Sequence, residues 1–81
     1  MKAEQAADLL KIYQEATNDD PAGLDGEQRC LIAEEMQAVI DAPTEAEAVK
    51  VIGWWGLDSI HGEGHTLGIV RKVRSLAEGR G

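Results

Sequence analysis

The apolar residues of this chain recur with the 3.6-residue period of an α-helix, and no segment alternates between apolar and polar residues as a half-buried strand would. From Ala3 to Thr17 they form one broad face. A second stripe begins at Asp25 or Gly26 and runs to Ala42. The intervening TNDDPAGLDG combines a proline, two glycines and several turn-forming acids, which end a helix. This pattern predicts an all-α chain.

Two further helices are expected after Pro43. Thr44 and Glu47 have the spacing of a capping box, so a third helix should begin there and run through EAEAVKVIGWWG, residues 45–56. A fourth, LGIVRKVRSLAEG, should follow a cap at Thr66. Four short amphipathic helices with brief connections predict a small compact bundle. The 81 residues suit a single helical domain that covers residues 1–81.

The charge of the chain is acidic and unevenly distributed. The net charge is −7, with 14 acidic and four basic residues in positions 1–65, and four basic residues against one acid in positions 66–81. Direct nucleic-acid binding needs a dominant basic surface, so it is not expected. An acidic body suits a basic protein partner or simple solubility. Arg71, Lys72 and Arg74 of the fourth helix could also pair with the acidic surface of a second copy, which makes a homodimer one prediction.

The adjacent Trp54 and Trp55 admit two interpretations. Successive helical residues point about 100° apart, so the two rings cannot share a face. If the third helix continues to Gly56, Trp55 joins the core face and Trp54 lies with Lys50 on the exposed side. If Gly53 ends the helix early, both rings can fold into the core from a loop. Because tryptophan is enriched at binding hot spots, the first interpretation predicts a partner-binding surface around Trp54, Lys50 and Leu57.

The segment HGEGH places His61 and His65 at a spacing that can bind a metal on a helix. The zincin motif needs a glutamate directly after the first histidine, and the acid here is Glu63. Two glycines also disfavour a helix, so a loop is expected. His61, His65 and Glu63 are therefore weak metal candidates, and no cofactor is predicted. The nearby glycines and Thr66 leave a small-anion site as an alternative.

The cysteine content and the lack of an apolar run suggest where the protein acts. Cys30 is the single cysteine, and its neighbours Leu31 and Ile32 predict a buried, inert thiol. No leader pattern or membrane-length apolar stretch is visible, so a cytoplasmic protein without a membrane anchor is expected.

No catalytic motif emerges, and a chain of this size has little room for a water-excluding cleft, so an enzyme is not expected. The leading hypothesis is a small acidic, non-catalytic protein–protein interaction module that acts as an adaptor, subunit or inhibitor. One alternative is an inhibitor or nucleic-acid mimic of the kind encoded by phages and mobile elements, which would use its exposed carboxylates. Another is a metal- or anion-binding protein built on the His61–His65 loop. The carboxylates that could imitate phosphates are Glu27, Glu34, Glu35, Asp41, Glu45 and Glu47.

Overall fold

The computed structural model describes residues 2–80, with the side chains of residues 2–79, and it confirms the predicted all-α bundle. Two 3₁₀ turns, Pro21–Gly23 and Gly53–Trp55, join helices, and no strand occurs in the described part of the chain. Within residues 2–80, no helix combines the length and hydropathy needed to cross a bilayer. The helices are α1 Ala3–Thr17, α2 Gly26–Asp41, α3 Glu45–Ile52, α4 Leu57–His61 and α5 His65–Arg80.

Four of the helices share one apolar core. Helix α1 packs along α2, and α3 and α5 close the other sides. Each large apolar side chain that is fully buried contributes about 1.5–3 kcal/mol relative to an exposed one, so this cluster holds the helices together. Its members are Leu9, Ile12, Ala16, Ala33, Met36, Val39, Ala48, Ile52, Ile69, Val70 and Val73.

Side-chain caps account for where the two central helices begin. The carboxylate of Asp25 accepts a hydrogen bond from the Gln28 backbone N–H at 2.8 Å, which starts α2. The hydroxyl of Thr44 accepts one from the Glu47 N–H at 3.1 Å, which confirms the predicted cap of α3. These local contacts satisfy N–H groups that have no partner inside the helix.

The end of α2 is held by a residue distant in sequence. The Arg74 guanidinium of α5 donates from the same nitrogen to the carbonyl oxygens of Val39 at 3.0 Å and Ala42 at 2.8 Å. These are carbonyls that the last turn of a helix leaves without partners. Arg74 thereby ties α5 to the C-terminal end of α2.

The structure corrects the expected course of residues 53–66. Helix α3 ends at Ile52, so its predicted extension to Gly56 is wrong, and the unpredicted α4 follows. Gly62 and Gly64 adopt positive φ angles of 105° and 89°, which only glycine adopts readily, and they reverse the chain between α4 and α5. Thr66 is not a cap: it lies inside α5, and its backbone N–H donates to the Asp58 carboxylate at 2.8 Å.

Candidate functional site

The two tryptophans converge on one carboxylate. The 3₁₀ turn Gly53–Trp55 brings both indole N–H groups to the same oxygen of Glu35 in α2. Trp54 Nε1 donates to Glu35 Oε2 at 2.7 Å, and Trp55 Nε1 donates to it at 3.0 Å. The two rings lie perpendicular, with centroids 6.4 Å apart. Because both indoles donate to one oxygen at hydrogen-bond distance, Glu35 fixes the orientation of both rings.

Glu35 is buried although the sequence grouped it with exposed carboxylates. Only 8% of it is exposed, because α2 turns it towards the tryptophan pair. Its second oxygen, Oε1, is buried and has no hydrogen-bond partner among the described residues. Neither the Lys50–Glu47 nor the Arg71–Glu45 ion pair involves Glu35. A buried carboxylate usually has a cation or a full set of donors, and Glu35 has only the two indoles.

A surface groove of about 360 Å³ lies against this cluster, and we call it the tryptophan groove. Trp54 is 68% exposed and Leu31 is 48% exposed, so both offer apolar surface there. Trp55 is half-buried and meets the Tyr13 ring edge to face at 6.0 Å. Burial, and secondarily the charge of Asp19, raise the pKa of the Tyr13 phenol further above neutral pH. The groove is lined by Tyr13, Leu24, Gln28, Leu31, Ile32, Glu35, Trp54 and Trp55.

Each interpretation of the tryptophan pair was partly right. Helix α3 ends early, as the core interpretation required, but only Trp55 packs against the core. Trp54 is exposed, as the surface interpretation required, but it lies on a 3₁₀ turn rather than on the outer face of an α-helix. The indole–carboxylate bond to Glu35, rather than helical phase, holds it there.

A second depression adjoins the tryptophan groove along α2, and we call it the acidic groove. It has a volume of about 560 Å³ and shares Gln28 and Leu31 with the tryptophan groove. Its lining is rich in carboxylates. The acidic groove is lined by Asp25, Glu27, Gln28, Cys30, Leu31 and Glu34.

Cys30 is exposed, so the prediction of a buried thiol is wrong. Ile32 and Met36 pack towards the core. On an α-helix Cys30 points about 160° and 120° away from these two residues, which places it on the outer side of α2. The apolar neighbours Leu31 and Ile32 do not indicate which side of α2 Cys30 occupies, and Leu31 is itself 48% exposed.

The structure does not bring Lys50 and Leu57 into the tryptophan groove with Trp54. Lys50 is exposed, and its ammonium lies 3.8 Å from Glu47 one turn earlier in α3. Leu57 is partly buried and packs against the core. Of the residues that line this groove, the sequence singled out Trp54 as a candidate, and it did not indicate that Tyr13, Leu31 and Glu35 of α1 and α2 lie there with it.

Two of the three predicted cations of α5 have intramolecular partners. Arg71 Nε donates to Glu45 Oε2 at 2.9 Å, and this bond holds the pKa of the Glu45 carboxyl below its usual range. Arg74 caps α2 as described. Lys72 is exposed. A surface that uses Arg71 or Arg74 to bind a second copy would have to compete with these contacts.

The carboxylates proposed to imitate phosphates are also partly engaged. Glu35 is buried, Glu45 binds Arg71, and Glu47 lies near Lys50. Asp41 accepts a hydrogen bond from the Gln37 amide at 3.0 Å. Glu27 and Glu34 remain exposed on the acidic groove. The nucleic-acid mimic stays a prediction, with fewer unengaged charges than the sequence suggested.

The two histidines lie together at the junction of α4 and α5. Their rings stack, with centroids 4.3 Å apart and planes inclined by 29°, and both side chains are exposed. Glu63 is exposed in the turn between them. Across residues 2–80, no group of three or more His, Cys, Asp or Glu side chains is arranged to hold a metal ion. The nearby Asp58 carboxylate instead binds the first turn of α5.

No family model matches this chain, and neither the curated proteins nor the solved structures show a significant match. The geometry of the tryptophan groove and of its surroundings is therefore the basis on which a function can be inferred.

Proposed function

We propose that this protein is a small, non-catalytic protein-interaction module that docks a partner through the tryptophan groove. One observation carries the proposal: Trp54 is 68% exposed, yet its indole is held by a 2.7 Å hydrogen bond to Glu35. An exposed tryptophan with no fixed orientation would lose entropy on binding. This one is ordered before a partner arrives.

The surroundings of Trp54 support the proposal. Tryptophan and tyrosine are enriched among the residues that dominate binding energy, and Trp54, Trp55 and Tyr13 all line the groove. Leu31 adds exposed apolar surface on the facing helix. Ordering an interface in advance strengthens binding because fewer side chains lose freedom in the complex.

The single thiol supports a cytoplasmic setting for this activity. Cys30 is exposed and unpaired, and a free surface thiol persists best in a reducing compartment.

The test is affinity capture from the source cells followed by titration of each purified captured protein. Four forms are compared: the unaltered chain, Trp54→Ala, Leu31→Ala and Ile60→Ala. Ile60 is the matched control, because it is 72% exposed but does not line the groove. We expect the two groove variants to weaken binding by about fivefold or more, and the control to remain within about twofold.

A second comparison separates the ring from its hydrogen bond. Trp54→Phe keeps an aromatic surface but removes the N–H donor to Glu35. If ordering matters, this variant binds with an affinity between those of the unaltered chain and Trp54→Ala. If all variants, including Ile60→Ala, bind the captured protein alike, the tryptophan groove is not the docking site and the proposal is wrong.

A further inference from the structure

We infer that the tryptophan groove takes a basic amphipathic segment of a partner protein, with an apolar side chain in the groove and Lys or Arg side chains over the acidic groove. This inference rests on the proposed function and adds the chemistry of the partner. It depends on three observations: the two grooves adjoin and share Gln28 and Leu31, the acidic carboxylates take part in neither ion pair found among the described residues, and Glu35 has no cationic partner among those residues.

The two grooves form one surface along the N-terminal half of α2. Gln28 and Leu31 line both of them. A segment that covers Leu31 therefore meets the aromatic rings on one side and carboxylates on the other. This juxtaposition matches an amphipathic segment, in which apolar and charged side chains occupy adjacent faces.

Among the described residues, the carboxylates of the acidic groove take part in neither of the ion pairs Lys50–Glu47 and Arg71–Glu45. Asp25, Glu27 and Glu34 are exposed there. The nearest basic residue in sequence, Arg29, donates to the carbonyl of Leu24, next to Asp25, at 2.8 Å and does not line the acidic groove. These two ion pairs lie on α3 and between α3 and α5. Three like charges on one short surface favour an incoming cation.

The wall of the tryptophan groove adds a fourth carboxyl group. Glu35 lines the groove and is compensated only by two indole N–H donors, while Oε1 is without a partner among the described residues. The unpaired Oε1 leaves this buried carboxyl short of donors. A Lys or Arg side chain at the rim of the groove would bring N–H donors to Glu35 and a positive charge to the acidic groove.

A second copy of this chain fits the surface less well than a basic partner does. The chain carries a net charge of −7, so two copies repel each other at long range. Its Arg71 and Arg74 already bind Glu45 and the end of α2. Homodimerisation through this surface is therefore the alternative that the mass measurement below would detect.

The probes are three synthetic peptides of about 14 residues that share one amphipathic leucine pattern and contain no tryptophan. Their polar positions are lysine, glutamine or glutamate. Binding is followed by the fluorescence of Trp54 and Trp55, at about 50 mM and about 300 mM salt. We expect the lysine peptide to bind about tenfold tighter than the glutamine peptide at low salt, the glutamate peptide to bind weakest, and the higher salt to remove most of the difference.

Two matched double variants localise the charge effect. Glu27→Gln with Glu34→Gln removes two charges from the acidic groove. Glu4→Gln with Glu78→Gln removes two from exposed positions that line neither groove. We expect the first double variant to lower the affinity for the lysine peptide about fivefold, and the second to change this affinity less than twofold. Thermal melting of each variant checks that the fold is retained.

The outcomes distinguish the inference from the function on which it rests. If the glutamine peptide binds as tightly as the lysine peptide, and Leu31→Ala weakens both, the groove docks a partner but the charge inference is wrong. The charge inference is also wrong if the two double variants lower the affinity for the lysine peptide equally. If no peptide binding depends on Leu31 or Trp54, the groove proposal fails as well. A doubled mass by light scattering that Leu31→Ala abolishes would assign the groove to a second copy.

Discussion

Glu35 is the residue on which the candidate site depends. It lies in the middle of α2, where the other buried residues are apolar. Its burial is explained by the hydrogen bonds that it accepts from the two indole N–H groups. A buried acceptor of two N–H groups orders the 3₁₀ turn as well as the groove wall. The same side chain therefore contributes to stability and to the presentation of Trp54.

We predict that Glu35→Ala lowers the free energy of unfolding by about 2 kcal/mol, because two hydrogen bonds are lost and the partly buried Trp55 N–H is left without an acceptor. Glu35→Gln keeps one carbonyl acceptor and should lose less. Urea unfolding measures the free energy, and the indole N–H signals in NMR report on the two rings. The exposed neighbour variant Glu34→Ala should change stability by less than about 0.5 kcal/mol. An equal loss in both alanine variants would contradict this role.

At the scale of elements, residues 53–64 form a series of short units whose ends are held from elsewhere. A 3₁₀ turn, the five-residue α4 and a glycine turn replace the single helix and loop that local periodicity predicted. Asp58 of α4 binds the first turn of α5, and the charge also suits the positive end of that helix. This contact makes α4 a support for α5 rather than an independent helix.

The Asp58 contact should make part of the stability depend on pH. Hydrogen bonds, chiefly from the Thr66 backbone N–H, hold the pKa of Asp58 below its usual range. The unfolded value is about 3.9. Because the folded pKa is the lower one, the stabilisation is present above about pH 4 and is lost as the pH falls through the folded pKa.

We therefore predict that Asp58→Ala lowers the urea midpoint at pH 7, and that the difference from the unaltered chain shrinks as the pH falls below about 4. Asp8→Ala is the matched control, since Asp8 is exposed in the middle of α1 and caps no helix. Urea titrations across the acidic range measure both variants. A difference for Asp58→Ala that stays constant down to pH 2 would show that the charge of Asp58 has no part in it.

At the scale of the whole molecule, stability rests on a core of few side chains. A chain of about 80 residues typically has only about 3–5 kcal/mol of net stability. Met36, Ile52 and Val39 are among the largest side chains that are fully buried, and they come from the two helices in the centre of the sequence. Truncation of any one of these side chains should therefore cost a free energy comparable to the whole net stability of the chain.

We predict that Met36→Ala leaves the chain largely unfolded at 37 °C, because truncation of a buried methionine costs about 2–5 kcal/mol. Circular dichroism during thermal melting measures the effect. Ile60→Ala, at a position that is 72% exposed, should melt within a few degrees of the unaltered chain. A cooperative transition for Met36→Ala at nearly the unaltered temperature would show that α2 contributes less to the core than its burial indicates.

The sequence by itself determined the elements whose signals are local. Ala3 to Thr17 and the Thr44 cap were predicted correctly, because helical period and capping depend on residues within a few positions of each other. The exposure of Trp54 was one of two alternatives that the sequence left open. The function, its site and any partner stay predictions, which can be tested at the tryptophan groove.

Only the tertiary structure decided which residues meet. Glu35 lies 19 and 20 positions from the tryptophans that it binds, and Arg74 lies 32 positions from the Ala42 carbonyl that it caps. Such contacts depend on how α2 and α5 are rotated and packed around the core, which no local pattern encodes. The burial of Glu35, the exposure of Cys30 and the joining of the tryptophan groove to the acidic groove all follow from that packing.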